Sequence, residues 1–435
     1  MKRIILAVGL VSLSTSLLAG ETLRLKLEPD RGCLLNGKPQ EVIVKIDLTA
    51  ALDPKRRHRT PLNLAVVLDR SGSMTGAKIE KARQAAMELV DRLGPDDLFS
   101  LVAYDDTVEV LVPAQRVENP ASLKARIARI QPGGSTALYA GVKAGADQLR
   151  EFISSKRISR VILLSDGLAN VGPSSPRELR RLGNELSRHG IAVTTIGVGD
   201  DYNEDLMAGL AEASDANYYY VKDTETLPRI FAKELGEMLT VAAREVRIEI
   251  VCPRGVKPLC FIGRNETFED GKAIVHLNQF TPGQDRALFL RCLVDGPDPE
   301  IARVTASYCD ELNGGAGEVI SGLAQIRFTD DESLADRSLN NAVIAEKELL
   351  VTAVVKDEAL ADADAGRWRA AASRLSQQAD ALDKQYQYAA PAVQEQIRLE
   401  TTNLRNRSQQ LEQGQYDSGF RKSMQWESFN NRNSK

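Results

Sequence analysis

The sequence predicts an α/β unit inserted into an antiparallel β-sandwich and followed by an α-helical C-terminal region. Three observations carry that expectation. Between residues 60 and 243, short apolar runs alternate with helical patterns, as in βα units that build a doubly wound, mostly parallel sheet covered on both faces. Before and after that stretch, residues 21–59 and 244–330 show period-2 alternation, the mark of half-buried strands. The last third carries apolar stripes at helical spacing on a polar background. The expected units are thus an export segment at 1–20, a β-sandwich from 21–59 plus 244–330, an α/β domain at 60–243, a helical bundle at 331–417 and a polar tail at 418–435 that frays. A length of 435 residues suits about two or three domains.

The chain begins with Lys2 and Arg3, then an apolar run, then small residues at Ala19 and Gly20, the pattern of an export signal. An uncleaved membrane anchor is the alternative. No cysteine follows the run, which argues against a lipid anchor. Export places the protein in the periplasm, at the cell surface or outside the cell. The five cysteines, Cys33, Cys252, Cys260, Cys292 and Cys309, then have an oxidising compartment in which to form disulfides. Cys252 and Cys260 are nearest in sequence and could clip a hairpin; Cys33 could instead pair across the sandwich. Spacing does not decide the connectivity.

In order, Leu23, Leu25 and Leu27, then Val42, Val44, Ile46 and Leu48, alternate as strands. A basic linker at 53–59 leads to a short run at 62–68, apolar except for Asn63, which ends in Asp69. Helix is expected at 77–93, a hairpin at 98–104 and 107–112, and helix at 120–130, with Asn119 as cap and Pro120 at the first position. Helix at 137–153, strand at 160–165, helix at 176–189 stopped by Gly190, strand at 191–198, helix at 204–213, strand at 217–221 and helix at 226–243 complete the unit. Strands are expected at 245–251, 272–277, 286–293, 302–308 and 322–328. Stripes at Leu339–Val343–Leu350–Val354, at Trp368–Ala372–Leu375–Ala379–Leu382–Tyr386, and at Val393–Ile397–Leu404–Leu411 after Pro391 mark three antiparallel helices.

The chemistry concentrates where the first α/β strand ends. Asp69-Arg-Ser71-Gly-Ser73 places three oxygen side chains in a loop after a strand and before a helix, where open α/β sheets bind ligands. Oxygen donors without nearby His or Cys suit a hard cation. This loop resembles the first part of the metal-ion-dependent adhesion site of von Willebrand factor type A domains. Thr136, in PGGSTALYAG, matches the lone threonine of the second part, and Asp166, in VILLSDGLANVG, matches the aspartate of the third. The resemblance covers about residues 60–243. It implies a Rossmann-like fold and a divalent ion, Mg²⁺ with Mn²⁺ or Ca²⁺ as alternatives, held by Asp69, Ser71, Ser73, Thr136 and Asp166. It also implies that one or both aspartates act through water. An ion held mainly by neutral oxygens stays electrophilic, and Mg²⁺ seeks six ligands. One position is then open to an Asp or Glu of a partner protein.

Other chemistries find little support. A net charge of −4 gives no bulk attraction for nucleic acid. No Walker loop or G-x-G-x-x-G is present, so no nucleotide is expected. His58, His189 and His276 fall in no triad motif, and no G-x-S-x-G occurs, so the chain does not read as an enzyme. Asp201-x-Asn203-x-Asp205 with Glu212 imitates a calcium loop but has Leu206 where glycine is needed. The run Tyr218-Tyr219-Tyr220 reads as a strand with one buried face. The expected function is metal-dependent protein binding, in adhesion or complex assembly. The alternatives are a structural envelope protein that self-associates through its helices, or an accessory subunit of an envelope enzyme complex.

Overall fold

The computed structural model describes residues 22–52, 59–154 and 157–433. The export segment expected at 1–20 and the linker residues 53–58, with His58, lie outside these.

Strands β1 (Leu23–Pro29), β2 (Cys33–Leu35) and β3 (Gln40–Ala50) come first. The α/β unit runs β4 (Leu62–Asp69), α1 (Ala77–Val90), β5 (Leu98–Tyr104), β6 (Val108–Arg116), α2 (Pro120–Ile127), α3 (Leu138–Arg150), β7 (Ile158–Ser165), α4 (Pro176–Arg188), β8 (Ile191–Val198), α5 (Glu204–Ala213), β9 (Tyr218–Val221) and α6 (Leu227–Leu239). Strands then return as β10 (Ala243–Val251), β11 (Val256–Phe261), β12 (Lys272–Phe280), β13 (Asp285–Val294), β14 (Glu300–Asp310), β15 (Ala316–Gln325) and β16 (Arg327–Thr329). Helices α7 (Glu332–Arg337), α8 (Asn341–Asp364), α9 (Trp368–Gln385), α10 (Pro391–Glu412) and α11 (Ser418–Arg432) follow.

The α/β sheet has the order β6-β5-β4-β7-β8-β9, parallel except for the β5–β6 hairpin. Every residue of β4, β5, β7 and β8 is buried. Helices cover both faces, so these strands have no polar side to show. One core packs against α1 and α6, the other against α3, α4 and α5. The chain leaves β4 to one side for β5 and later returns to its other side for β7. Their carboxyl ends are therefore a topological switch point.

The flanking strands form two packed sheets, β1-β3-β13-β11 and β12-β10-β14-β15. Strand β3, from before the α/β unit, pairs with β13, from after it, from Thr49↔Asp285 to Gln40↔Val294. The α/β unit is thus an insertion in the sandwich. Three expectations change. The strand expected at 322–328 is divided between β15 and β16, and β16 leaves the sandwich to pair with β2. Strand β11 had not been expected. The closing helix stops at Leu239, because Ala242 and Ala243 already belong to the sandwich core.

The tail does not fray. Asp417 caps α11, and Phe420, Met424 and Phe429 are buried. Phe429 meets Tyr218 edge-on at 5.7 Å, inside the α/β core. Lys422 Nζ reaches Glu204 Oε2 at 2.8 Å, and Arg421 reaches Glu204 and Asp205. The last helix thus straps the bundle to the α/β unit.

The disulfide expectation also changes. All five cysteines are free thiols. Cys260 is exposed, while buried Cys252 meets the thiol of Cys292 on β13 rather than Cys260. Cys33 lies on β2, beside β16, and does not cross the sandwich.

Candidate metal centre

Asp69 is the last residue of β4, and its side chain is fully buried. Its Oδ1 accepts the Ser71 backbone N–H at 2.8 Å. Its Oδ2 accepts the Ser165 hydroxyl at 2.6 Å and the Tyr104 hydroxyl at 3.4 Å. All these donors are neutral. Burial raises the Asp69 pKa, the Ser165 and Ser71 hydrogen bonds lower it, and the charge of Asp166 raises it again; the net shift is upward.

The rest of the first loop turns around Ser71 and Ser73, whose Oγ atoms are 3.1 Å apart. Ser71 is buried; Ser73 lies at the open side. The Ser73 hydroxyl donates to Asp166 Oδ1 at 2.7 Å, joining the first loop to the third. Two backbone bonds join the first loop to the second, Gly72 N–H to Gly134 O at 3.1 Å and Gly133 N–H to Arg70 O at 2.7 Å. Thr136 is oriented through its backbone, which donates to Asn170 Oδ1 at 2.8 Å and accepts the Asn170 N–H at 3.1 Å.

Gly167 maps the space between the three loops. A Cβ built there would lie 2.9 Å from Thr136 Oγ1, 3.4 Å from Ser73 Oγ and 3.7 Å from Ser71 Oγ. The three hydroxyls therefore converge on one small volume that a glycine leaves free. All five residues expected from the sequence are brought together. Two carboxylates and three hydroxyls around such a cradle fit a hard divalent cation.

Four contributors were missed. Ser165 and Tyr104 hold Asp69, and Asn170 holds Thr136. Lys78, in the first turn of α1, places Nζ 2.5 Å from Asp166 Oδ2. A signal existed for it: a lysine in a helix's first turn opposes the dipole and needs a carboxylate nearby. The imitation calcium loop has other employment. Asn203 caps α5, Glu204 meets Arg421 and Lys422, and Glu212 meets Arg180 at 2.5 Å.

Residues 63–233 match the family model described as von Willebrand factor type A domain. Over 300 residues the chain is 29% identical to the uncharacterized protein sll0103 of Synechocystis sp., covering 67% of this chain and 66% of that protein. It is 30% identical over 160 residues to inter-alpha-trypsin inhibitor heavy chain H4 of Homo sapiens, covering 35% of this chain and 17% of that protein. The matched stretches thus span less than two thirds of either relative's length. A solved structure, von Willebrand factor type A from Catenulispora acidiphila, has the same fold with a TM-score of 0.74 at 18% identity, over 94% of this chain and 96% of that one.

Proposed function

We propose that the von Willebrand factor type A domain at residues 63–233 is a metal-dependent protein-binding module, used in adhesion or complex assembly. The observation that carries this reading is the convergence of the Thr136, Ser73 and Ser71 hydroxyls on the cradle at Gly167, next to Asp69 and Asp166. A divalent ion bound there, Mg²⁺ or else Mn²⁺ or Ca²⁺, supplies an electrophilic position for a carboxylate oxygen of a partner's Asp or Glu.

The chain's own residues prepare that contact. The donors on Asp69 fix its carboxylate in place, and Asn170 fixes Thr136. Ser73 leaves the site open on one side. Leu168, 58% exposed on the third loop, gives the rim an apolar contact for a protein surface. Arg70 pairs with Asp105 at 2.9 Å and Glu109 at 2.7 Å, so the rim's guanidinium is already engaged and does not draw the partner's acid away from the ion.

We read the chain as a binding protein rather than an enzyme. His189, at the end of α4, and His276, on β12 of the sandwich, line a cavity that none of the five oxygen-bearing residues reaches. The likeness to a chain named as a heavy chain of an inhibitor supports work within an assembly. The expected N-terminal export signal places that work in the periplasm, at the cell surface or outside the cell.

The test is twofold. Calorimetric titration with Mg²⁺ and Mn²⁺ gives one site per chain in the wild type and none in Thr136→Ala. Envelope proteins retained on the immobilised wild type are released by EDTA and are not retained by Thr136→Ala. Retention indifferent to both changes contradicts the proposal.

A further inference from the structure

A cavity of about 1180 Å³ lies between the α/β unit, the sandwich and the end of α11. It is at the opposite end of the α/β sheet from the metal centre, where α4 ends and β7 begins. Ligand sites favour such joints between domains.

The wall is built for charge. Its four carboxylates each have a guanidinium of their own. Glu212 meets Arg180 at 2.5 Å, Asp215 meets Arg286 at 3.0 Å, Glu266 meets Arg264 at 3.0 Å, and Glu245 meets Arg244. None is left over for the cations that face them. Arg188, at the end of α4, has no ion-pair or hydrogen-bond partner among the described residues. Arg247 on β10 has only Glu249, at 2.9 Å in a solvent-exposed pair of small worth. His276 on β12 lies directly across the ladder from Arg247. All three groups line the same cavity. Burial first, then the charges of Arg247 and Arg188, hold the imidazole below its usual pKa.

The backbone is bent to make this wall. Asp215 and Glu245 have φ of +50° and +54°, and both line the cavity. A register shift between Arg244 and Arg247 marks a bulge in β10 at the same point, a device that re-aims side chains. Side chains other than glycine hold such φ values at a cost and concentrate at functional sites.

We propose that this cavity binds a small phosphate-bearing anion through Arg188, Arg247 and His276. Guanidinium forks from two different elements, the end of α4 and strand β10, with the His276 imidazole on the strand next to Arg247, offer donors in several directions and suit a tetrahedral phosphate better than a planar carboxylate. The remaining volume accommodates the organic part of the ligand. Bound there, it ties the α/β unit to the sandwich.

The test is calorimetric titration of the full chain with pyrophosphate and, in parallel, with citrate. EDTA is present throughout, so that no divalent ion at the metal centre can contribute. Pyrophosphate binds once per chain, and citrate binds more weakly. Arg188→Ala and Arg247→Ala each weaken pyrophosphate about tenfold, the loss of one charge-assisted contact. Both side chains reach solvent, so the melting temperature without ligand stays at the wild-type value. Three results each overturn the proposal: no binding at millimolar pyrophosphate, wild-type binding by the variant that combines Arg188→Ala with Arg247→Ala, or tighter binding of citrate. The EDTA arm also separates this failure from failure of the metal-dependent reading.

Discussion

Glu234 and Asp69 are both fully buried in the same α/β unit, yet their charges are closed in different ways. Glu234, on α6, meets the buried Arg160 guanidinium at 3.2 Å. It also accepts from Thr194 at 2.6 Å, from Tyr219 at 2.7 Å and from Asn217. Asp69 accepts only neutral donors and has a second carboxylate, Asp166, as its neighbour. The cation near that pair, Lys78, reaches Asp166 from the open side, with 26% of its side chain exposed. Asp215 makes the same contrast through its proton affinity. Burial would raise its pKa, but Arg286 and the Asn278 N–H lower it to about 2, whereas Asp69, without a guanidinium, is shifted upward. A buried carboxylate closed by a cation of the chain serves the fold. One closed only by neutral donors leaves charge for an ion from outside.

Four substitutions break or sharpen that contrast, from the largest effect to the smallest. Glu234→Ala strands the Arg160 guanidinium in the core and lowers stability by about 3–5 kcal/mol in urea denaturation, with metal affinity unchanged. A loss under about 1 kcal/mol would show that this network does not hold the fold.

Asp69→Ala behaves in the opposite way. In EDTA it melts no lower than the wild type, because a buried carboxylate beside another one has gone. With metal at a hundred times its Kd the wild type gains about 2.7 kcal/mol and the variant gains nothing. Equal metal-induced shifts in both proteins would place the ion elsewhere.

Asp215→Asn costs about 2 kcal/mol at neutral pH, since the folded pKa of about 2 lies below the ordinary value of 3.8. A depressed pKa stabilises fully above the ordinary value, and the gain is lost as pH falls through about 2. The difference between wild type and variant should therefore shrink from about pH 4 downward. A difference that holds constant across that range assigns the effect to packing instead.

Lys78→Met is the mildest change. It removes a hydrogen-bonded ion pair whose carboxylate is buried and whose ammonium is 26% exposed, worth about 1.5 kcal/mol without metal. It also frees Asp166 Oδ2 from a competing ammonium, so Mg²⁺ binds about fivefold tighter by calorimetry. Weaker binding would make Lys78 a support of the site rather than a competitor for it.

Most of the candidate metal centre was legible because Asp69, Ser71 and Ser73 lie within five residues at the end of a buried strand. Thr136 and Asp166 lie in loops with their own local signatures. Ser165 and Tyr104 were not legible, because what they touch depends on β4 lying between β5 and β7. The alternation of apolar runs revealed the inserted α/β unit, since buried parallel strands have no polar face to disguise them. Helix α11 escaped because Phe420, Met424 and Phe429 are sparse among polar residues, and the partners of Arg421 and Lys422 lie more than two hundred positions earlier, at Glu204 and Asp205. Cys252 and Cys292 meet although forty residues separate them, which no spacing rule reveals.

The most direct measurement is an anomalous difference map from crystals grown with Mn²⁺. The account predicts one peak beside Gly167, within direct or single-water reach of Asp69, Ser71, Ser73, Thr136 and Asp166, with a remaining coordination position facing solvent. A map without density there at saturating Mn²⁺, with the Lys78 ammonium still seated on Asp166, would contradict it.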